Sequence, residues 1–307
     1  MSKTSTDCAL ERVSLNGATM GTRYTALFHA DAGMDTAPLA AALFAAVDRV
    51  DRQMSSWKPE SDLNRLNAAP VGLWVPIPPE LGTVLATGLR IGRASHGAFD
   101  LGMGDFVARW GFGPAASVSA LPQAAAPIPA HEKLEIDPSL RRARKLAPVS
   151  LDVSGIAKGY GVDELARVMD AFAISAWLVG IDGEMRAKGL KPDGSAWVVA
   201  QERPVRGVRE AMGVIELTDM AIATSGNYRH FREHDGRTIS HTMDPRTGLP
   251  LDNGIASVTV LAPTGMEADA WATAFMVMDA RAGLGLARLR GMEAIFVNSD
   301  GAVESTF

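Results

Sequence analysis

The stretch Ala176-Trp-Leu-Val-Gly-Ile-Asp-Gly-Glu-Met-Arg-Ala-Lys188 contains two short segments of strand-like composition with few residues between them. It predicts strands at residues 176–180 and 184–188, joined by a turn that is too short to contain a helix. Further strands are predicted at residues 24–29, 197–201, 214–217, 257–261, 294–298 and 302–305. Because several of these strands are joined by short turns, we predict an α+β fold with packed helices and antiparallel-rich sheets, rather than a doubly wound parallel sheet.

Apolar residues at helical spacing predict the helices of this fold. The predicted helices span residues 36–54, with Thr36 as the cap, 79–95, 155–170 and 266–278. The Pro/Ala-rich segment of residues 113–131 is expected to be a surface loop. We divide the chain of 307 residues into an N-terminal tail, residues 1–16, and a folded region, residues 17–307.

Charge and cysteine content exclude several classes of function. The 30 Lys and Arg residues against 35 Asp and Glu residues give a net charge of −5, so the surface as a whole does not attract nucleic acid or anionic lipid. A single cysteine, Cys8, excludes an internal disulfide framework. The first ten residues contain no apolar run typical of a signal peptide, which predicts a cytoplasmic protein without a membrane anchor. A periplasmic chain whose export signal had been removed would look the same.

The segment Leu151-Asp-Val-Ser-Gly-Ile-Ala-Lys-Gly159 predicts a strand end followed by the start of a helix. Ser154 is the expected cap, and Lys158 lies in the first turns of that helix. Free amides at a helix start and a nearby ammonium group can bind a phosphate or pyrophosphate. The alternative is an ordinary capped helix with a solvated lysine.

The segment Ser240-His-Thr-Met-Asp-Pro-Arg-Thr-Gly-Leu-Pro250 contains a turn between two prolines. His241 and Asp244 lie on either side of a predicted strand end, where one turn could bring them together. An imidazole at this position could accept a proton from a hydroxyl group near neutral pH. The alternative is a rigid turn whose aspartate caps its own backbone.

The segment Thr264-Gly-Met-Glu267 is a capping box that opens a helix. Asp269 and Thr273 follow at i and i+4, on one face of that helix. A carboxylate and a hydroxyl in this arrangement offer the oxygen ligands that Mg²⁺ prefers. The alternative is that Asp269 favours the helix dipole and Thr273 bonds to the preceding turn.

Taken together, the motifs form an ordered set. They are Met20-Gly-Thr22, Ser56-Trp-Lys-Pro-Glu-Ser-Asp-Leu-Asn-Arg-Leu-Asn67, Gly97-Ala-Phe-Asp100 with Trp110-Gly-Phe-Gly113, the segment of residues 151–159, Ala223-Thr-Ser-Gly-Asn-Tyr228, residues 241–248, and Glu267-Ala-Asp-Ala-Trp-Ala-Thr273. This set resembles the FAD:protein FMN transferases of the ApbE type over residues 17–297. One departure is Ile181-Asp-Gly-Glu184, which occupies the place of a glycine pair.

The resemblance implies a two-lobed fold with the flavin between the lobes. It also implies an enzyme that cleaves FAD, attaches FMN through a phosphoester to a Thr or Ser hydroxyl of a target flavoprotein, and releases AMP. Mg²⁺ would be required, held by the Gly155 carbonyl, Asp269 and Thr273, and His241 would be the base. By matching position, the residues that would contact FAD are Met20, Trp57, Ala98, Phe99, Asp100, Asp152, Lys158 and Met243.

Two other functions fit the same residues. An FAD pyrophosphatase would use water in place of the acceptor hydroxyl, and the two activities differ in how well the site excludes water. A non-catalytic FAD-binding protein is the other alternative, although binding alone would not need His241, Asp269 and Thr273 together.

Overall fold

The computed structural model describes residues 10–114, 128–229, 231–234 and 237–307. Most of the predicted loop of residues 113–131 therefore lies outside the described residues. The strands are β1 Leu10–Thr19, β2 Thr22–Asp31, β3 Val75–Pro76, β4 Leu134–Ile136, β5 Arg142–Lys145, β6 Trp177–Ile181, β7 Glu184–Lys188, β8 Trp197–Glu202, β9 Ala211–Leu217, β10 Ala221–Gly226, β11 Phe231–His234, β12 Arg237–Ser240, β13 Met243–Asp244, β14 Leu249–Pro250, β15 Ile255–Ala262, β16 Glu293–Asn298 and β17 Val303–Ser305. The α-helices are α1 Ala37–Met54, α2 Asp62–Ala68, α3 Pro79–Ala94, α4 Gly104–Arg109, α5 Ala130–Lys133, α6 Ser154–Ala171, α7 Gly265–Val277 and α8 Ala280–Leu289.

The central sheet is antiparallel throughout its described strands. Its strand order is β1-β2-β6-β7-β10-β15-β16-β17, and every neighbouring pair is antiparallel. Strands β6 and β7 form a hairpin in which Ile181 pairs with Glu184. The turn between them uses Asp182 at a φ of 53°, a left-handed conformation that aspartate tolerates better than most residues. The predicted antiparallel α+β fold is confirmed.

The predicted strands and helices are all present, with ends displaced by a few residues. Residues 10–16 of the predicted tail belong to β1, which pairs with β2 along its whole length. The tail prediction was wrong for these residues because β1 is an edge strand with one exposed face and therefore a weak apolar pattern. Thr36 occupies the capping position of α1 as predicted, but its side chain makes no capping bond.

The core lies on both faces of the central sheet. One face packs against α1 and α6 through residues such as Phe28, Leu43 and Leu165. The opposite face is covered by the β8–β9 hairpin, where Trp197 and Leu217 pack against the sheet. Helix α7 is buried on nearly all sides, as expected for a helix of such apolar composition. No helix in the described part of the chain has the length and apolarity needed to cross a membrane.

Helices α6 and α7 contact each other through their backbones. A Cβ atom added to Gly159 would lie 2.2 Å from the Gly265 carbonyl oxygen, and one added to Gly265 would lie 2.5 Å from the Gly159 carbonyl oxygen. The buried carboxylate of Asp163 accepts hydrogen bonds from the amides of Gly265 (2.8 Å) and Met266 (2.9 Å). This contact fixes the start of α7 against α6.

We predict that Gly159→Ala destabilises the protein by about 3 kcal/mol or more, because the new methyl group meets rigid backbone rather than a flexible side chain. The measurement is the free energy of unfolding in urea. Gly285→Ala is the matched control, since Gly285 also lies in a helix and a Cβ there meets no atom within 4 Å. The control should gain about 0.5–1 kcal/mol from helix propensity. Equal effects of the two substitutions would contradict the proposed contact.

Candidate functional site

A cavity of about 1300 Å³ lies at the junction of the central sheet with α6 and α7. All twelve predicted site residues line it: Met20, Trp57, Ala98, Phe99, Asp100, Asp152, Gly155, Lys158, His241, Met243, Asp269 and Thr273. They come from six separate segments of the chain, so only the folded structure brings them together. Their common location is a structural finding, whereas the role of each residue remains a prediction.

The start of α6 differs from the predicted geometry. Ser154 is the first residue of the helix rather than its cap, and Val153 occupies the capping position without a side-chain bond. The carboxylate of Asp152 accepts a hydrogen bond from the Ser154 amide at 2.7 Å instead. Because valine lacks a polar side chain, the aspartate one residue earlier provides the acceptor that a helix start requires.

The Lys158 ammonium group is paired with a buried carboxylate of the protein itself. It lies 2.8 and 2.9 Å from the two carboxylate oxygens of Glu184, which is 2% exposed. Burial raises the pKa of Glu184 to about 7, against the lowering effect of Lys158. Burial lowers the pKa of Lys158, but the neighbouring carboxylates, Glu184 first, raise it by more, so its net pKa is raised. The alternative of a solvated lysine was therefore wrong.

Asp269 and Thr273 lie on α7 as predicted, and both face the start of α6. The Asp269 carboxylate is 4% exposed and accepts the Gly159 amide at 2.9 Å. Burial raises its pKa. The Thr273 hydroxyl lies 3.1 Å from the Ser225 hydroxyl on β10. These groups place several oxygen atoms around one end of the cavity.

Gly155 brings the backbone of α6 close to Thr273. Its φ and ψ of −84° and 15° depart from helical values, and an added Cβ would lie 2.9 Å from the Thr273 hydroxyl oxygen. In a regular helix the Gly159 amide donates to the Gly155 carbonyl, and here that amide donates to Asp269. No cluster of three His, Cys, Asp or Glu side chains suited to a metal occurs among the described residues. Any metal held here would instead use carbonyl, hydroxyl and single carboxylate oxygens.

The backbone on both sides of His241 is fixed by hydroxyl groups. The Ser240 hydroxyl donates to the Asn227 side-chain oxygen at 2.5 Å and accepts the Thr242 amide at 3.0 Å. The His241 ring contacts the edge of Phe112 with a centroid distance of 6.3 Å. These contacts hold the imidazole beside the cavity.

Asp244 supports its own turn. Its carboxylate accepts the Arg246 amide at 2.9 Å and also pairs with the Arg246 guanidinium at 2.9 Å. The alternative of a turn capped by its own aspartate is therefore confirmed. The hydrogen bonds described for this carboxylate go to the backbone and guanidinium group of Arg246.

Asp100 also has a local structural role in addition to its place on the cavity. Its carboxylate accepts the amides of Gly102 (2.6 Å) and Ala130 (3.0 Å). Burial raises its pKa, while the two backbone bonds lower it to a smaller extent. This carboxylate therefore ties the chain after α3 to the start of α5.

Several residues on the cavity were missed in the sequence. Glu184 is the partner of Lys158, and Asp182 lies 3.9 Å from the same ammonium group. Arg229 pairs with Asp182 at 3.1 Å and also with Glu202. The sequence carries no distinct signal for Glu184, because its strand also contains Arg186 and Lys188 at alternate positions. Nothing in the sequence connects it to Lys158, which lies on another element.

The sequence and fold match those of flavin transferases. The sequence matches the ApbE family over residues 20–296. It is 35% identical to an FAD:protein FMN transferase of Klebsiella pneumoniae (strain 342) over 299 residues, which cover 94% of this chain and 84% of the relative. The apo structure of the flavinyl transferase ApbE of Pseudomonas stutzeri matches with a TM-score of 0.86 at 35% identity, covering 97% of this chain and 95% of that chain. The flavin transferase ApbE of Vibrio cholerae matches with a TM-score of 0.83 at 34% identity, covering 97% of both chains.

The chain belongs to the ApbE family. The match extends over nearly the whole chain in both sequence and structure, and the resemblance drawn from the ordered motifs is confirmed.

We predict that Lys158→Met destabilises the protein more at pH 8.5 than at pH 5.5. Below the folded-state pKa of Glu184, about 7, this buried carboxyl is protonated and does not need the ammonium group. Without Lys158 the pKa of this carboxyl rises further, so the folded variant keeps a proton that the unfolded chain loses, and stability falls as the pH rises. We expect a loss of about 3 kcal/mol at pH 8.5, measured by urea unfolding in EDTA.

The control for this prediction is Lys188→Met, which breaks an exposed pair with Asp170. It should change the free energy of unfolding by less than about 1 kcal/mol at both pH values. Equal losses for Lys158→Met at the two pH values would contradict the assigned role of Glu184.

Proposed function

We propose that this protein cleaves FAD at its pyrophosphate and transfers the FMN half to a threonine or serine hydroxyl of a target flavoprotein. The bond between the acceptor oxygen and the FMN phosphorus forms as the phosphorus–oxygen bond to AMP breaks. Family membership supports this activity, since the matched relatives are named FAD:protein FMN transferase or flavin transferase. A transferase of this kind needs a protein partner as well as FAD.

The observation that carries the proposal is that all twelve predicted site residues line one cavity. Its volume of about 1300 Å³ exceeds the usual range for drug-sized ligands and suits a dinucleotide. Trp57, which is 65% exposed, offers an aromatic surface at the cavity. Lys158 and the start of α6 would face the pyrophosphate.

The residues at the α6–α7 junction fit Mg²⁺. The proposed ligands are the Gly155 carbonyl, the Asp269 carboxylate and the Thr273 hydroxyl, which are all oxygen atoms. A cation would relieve the cost of burying Asp269, whose raised pKa reflects that burial. The absence of a side chain at Gly155 leaves its backbone next to the Thr273 hydroxyl. When bound, Mg²⁺ would neutralise the charge that develops on the phosphoryl oxygens.

His241 would accept the proton of the acceptor hydroxyl as that oxygen attacks phosphorus. An imidazole can do so near neutral pH. Its backbone is held through Ser240, so the ring has a defined approach to the cavity. The lining of the cavity also includes Phe112, which contacts the imidazole and would limit the access of water.

The test of the function is AMP release from FAD, measured with Mg²⁺ and candidate flavoproteins, together with covalent flavin fluorescence on the acceptor. We expect Asp269→Ala to lower the rate by about 100-fold or more, because it removes the one carboxylate of the proposed metal site. Asp193→Ala is the control, since Asp193 lies in an exposed turn where it bonds Ser195. This control should leave the rate unchanged. A normal rate for Asp269→Ala would show that the metal assignment is wrong.

The same assay separates the alternative activities. AMP and free FMN produced equally with and without any acceptor would indicate a pyrophosphatase. Stoichiometric FAD binding without AMP under any condition would indicate a binding protein. Labelled acceptor together with AMP is the result expected for the transferase.

A further inference from the structure

We propose that the short helix α2 is a positioning element of the FAD site, and that Asn64 and Asn67 hold two separate parts of the cavity in place. This inference rests on the proposed function, because it concerns how the residues that would contact FAD are oriented. Neither asparagine lines the cavity. Each acts on it through the backbone of another segment.

Asn64 fixes the loop that carries Trp57. Its side-chain amide donates to the carbonyl oxygens of Ser56 and Lys58, both at 2.9 Å, and lies 3.5 Å from that of Ser55. Three carbonyl groups of one short loop therefore converge on a single NH₂ group. Since Trp57 is largely exposed and cannot be held by core packing, these bonds fix its backbone together with the bond from the Trp57 amide to the Ser55 hydroxyl at 3.3 Å.

Asn67 fixes the backbone that precedes Asp152. Its amide donates to the Leu151 carbonyl at 2.9 Å, and its side-chain oxygen accepts the Leu151 amide at 2.8 Å. This two-bond arrangement satisfies both backbone groups of a fully buried residue. Asp152 follows directly, and its own carboxylate bonds the first amide of α6. The position of Asn67 therefore affects the start of the helix that carries Lys158.

The two asparagines are three residues apart and lie on the same side of α2. Because one rigid helix connects them, the loop of Trp57 and the backbone at Asp152 are held at a fixed separation. The helix itself is anchored at both ends. At its start, the Ser61 hydroxyl accepts a hydrogen bond from the backbone amide of Asn64 at 3.1 Å. At its end, the buried Lys145 ammonium group donates to the backbone carbonyl of Asn67 at 2.5 Å.

The test uses FAD alone as the probe, so no acceptor protein is needed. Flavin fluorescence is titrated in the full-length protein, once with Mg²⁺ and once with EDTA, at a temperature at which every variant is folded. We expect Asn64→Ala and Asn67→Ala each to raise the dissociation constant of FAD about tenfold, which corresponds to the loss of about 1.4 kcal/mol of binding free energy.

Thr306→Val is the matched control for general loss of stability. The Thr306 hydroxyl also makes one bond to a backbone amide and one to a backbone carbonyl, those of Ala294 and Met292, and none of these residues lines the cavity. This variant should lower the unfolding temperature without changing FAD affinity. Weaker FAD binding by Thr306→Val of the same size as in the asparagine variants would overturn the inference.

The outcomes separate this inference from the function on which it rests. Unchanged FAD affinity in both asparagine variants, with normal binding by the wild type, would overturn the positioning role alone. A wild-type protein that binds no FAD would contradict the proposed function, and the positioning role would then fail with it. Intact FAD affinity in one variant only would restrict the role to the other asparagine.

Discussion

The backbone contact between Gly159 and Gly265 is the constraint on which the candidate site depends. Helices α6 and α7 approach so closely there that neither position has room for a Cβ atom. This approach brings the Asp269 carboxylate to the Gly159 amide and brings Thr273 beside Gly155. Asp163 on α6 strengthens this contact between the helices, because its carboxylate accepts hydrogen bonds from the amides of Gly265 and Met266 at the positive end of α7. A larger separation of the helices would disperse the oxygen atoms proposed to hold Mg²⁺.

The charges around this helix contact would favour a cation at the proposed site. One ammonium group, that of Lys158, faces the carboxylates of Glu184, Asp269 and Asp182. Lys158 alone therefore does not make the cavity attractive to a pyrophosphate, in contrast to what the sequence suggests. Protonation of Glu184, whose pKa is about 7, removes part of this negative charge. A divalent ion at Asp269 would remove more and would free the ammonium group to face an anionic substrate.

Local patterns in the sequence were sufficient for most of the central sheet, whereas most of the predicted site residues came from the resemblance to a family. Strands such as β15 and helices such as α7 have clear apolar patterns, and α7 carries Asp269 and Thr273 at a spacing that defines one face. Edge strand β1 and the short strands β3 and β4 were missed because few of their residues are buried. Strands β5 and β10 were missed because the charged residues of β5 and the Thr-Ser-Gly end of β10 leave no apolar run of strand length. The Lys158–Glu184 pair could not be predicted, since the two residues lie on different elements and meet only after folding.

The turn at Asp182 illustrates how a departure from the family pattern is accommodated. Asp182 adopts the left-handed φ that a glycine would take easily, so the β6–β7 hairpin keeps its register. Its carboxylate then pairs with Arg229, which also contacts Glu202, and so links the central sheet to the β8–β9 hairpin. The same carboxylate lies 3.9 Å from the Lys158 ammonium group. Asp182 thus adds a negative charge beside Lys158, and a metal ion at the proposed site would offset that charge when FAD binds.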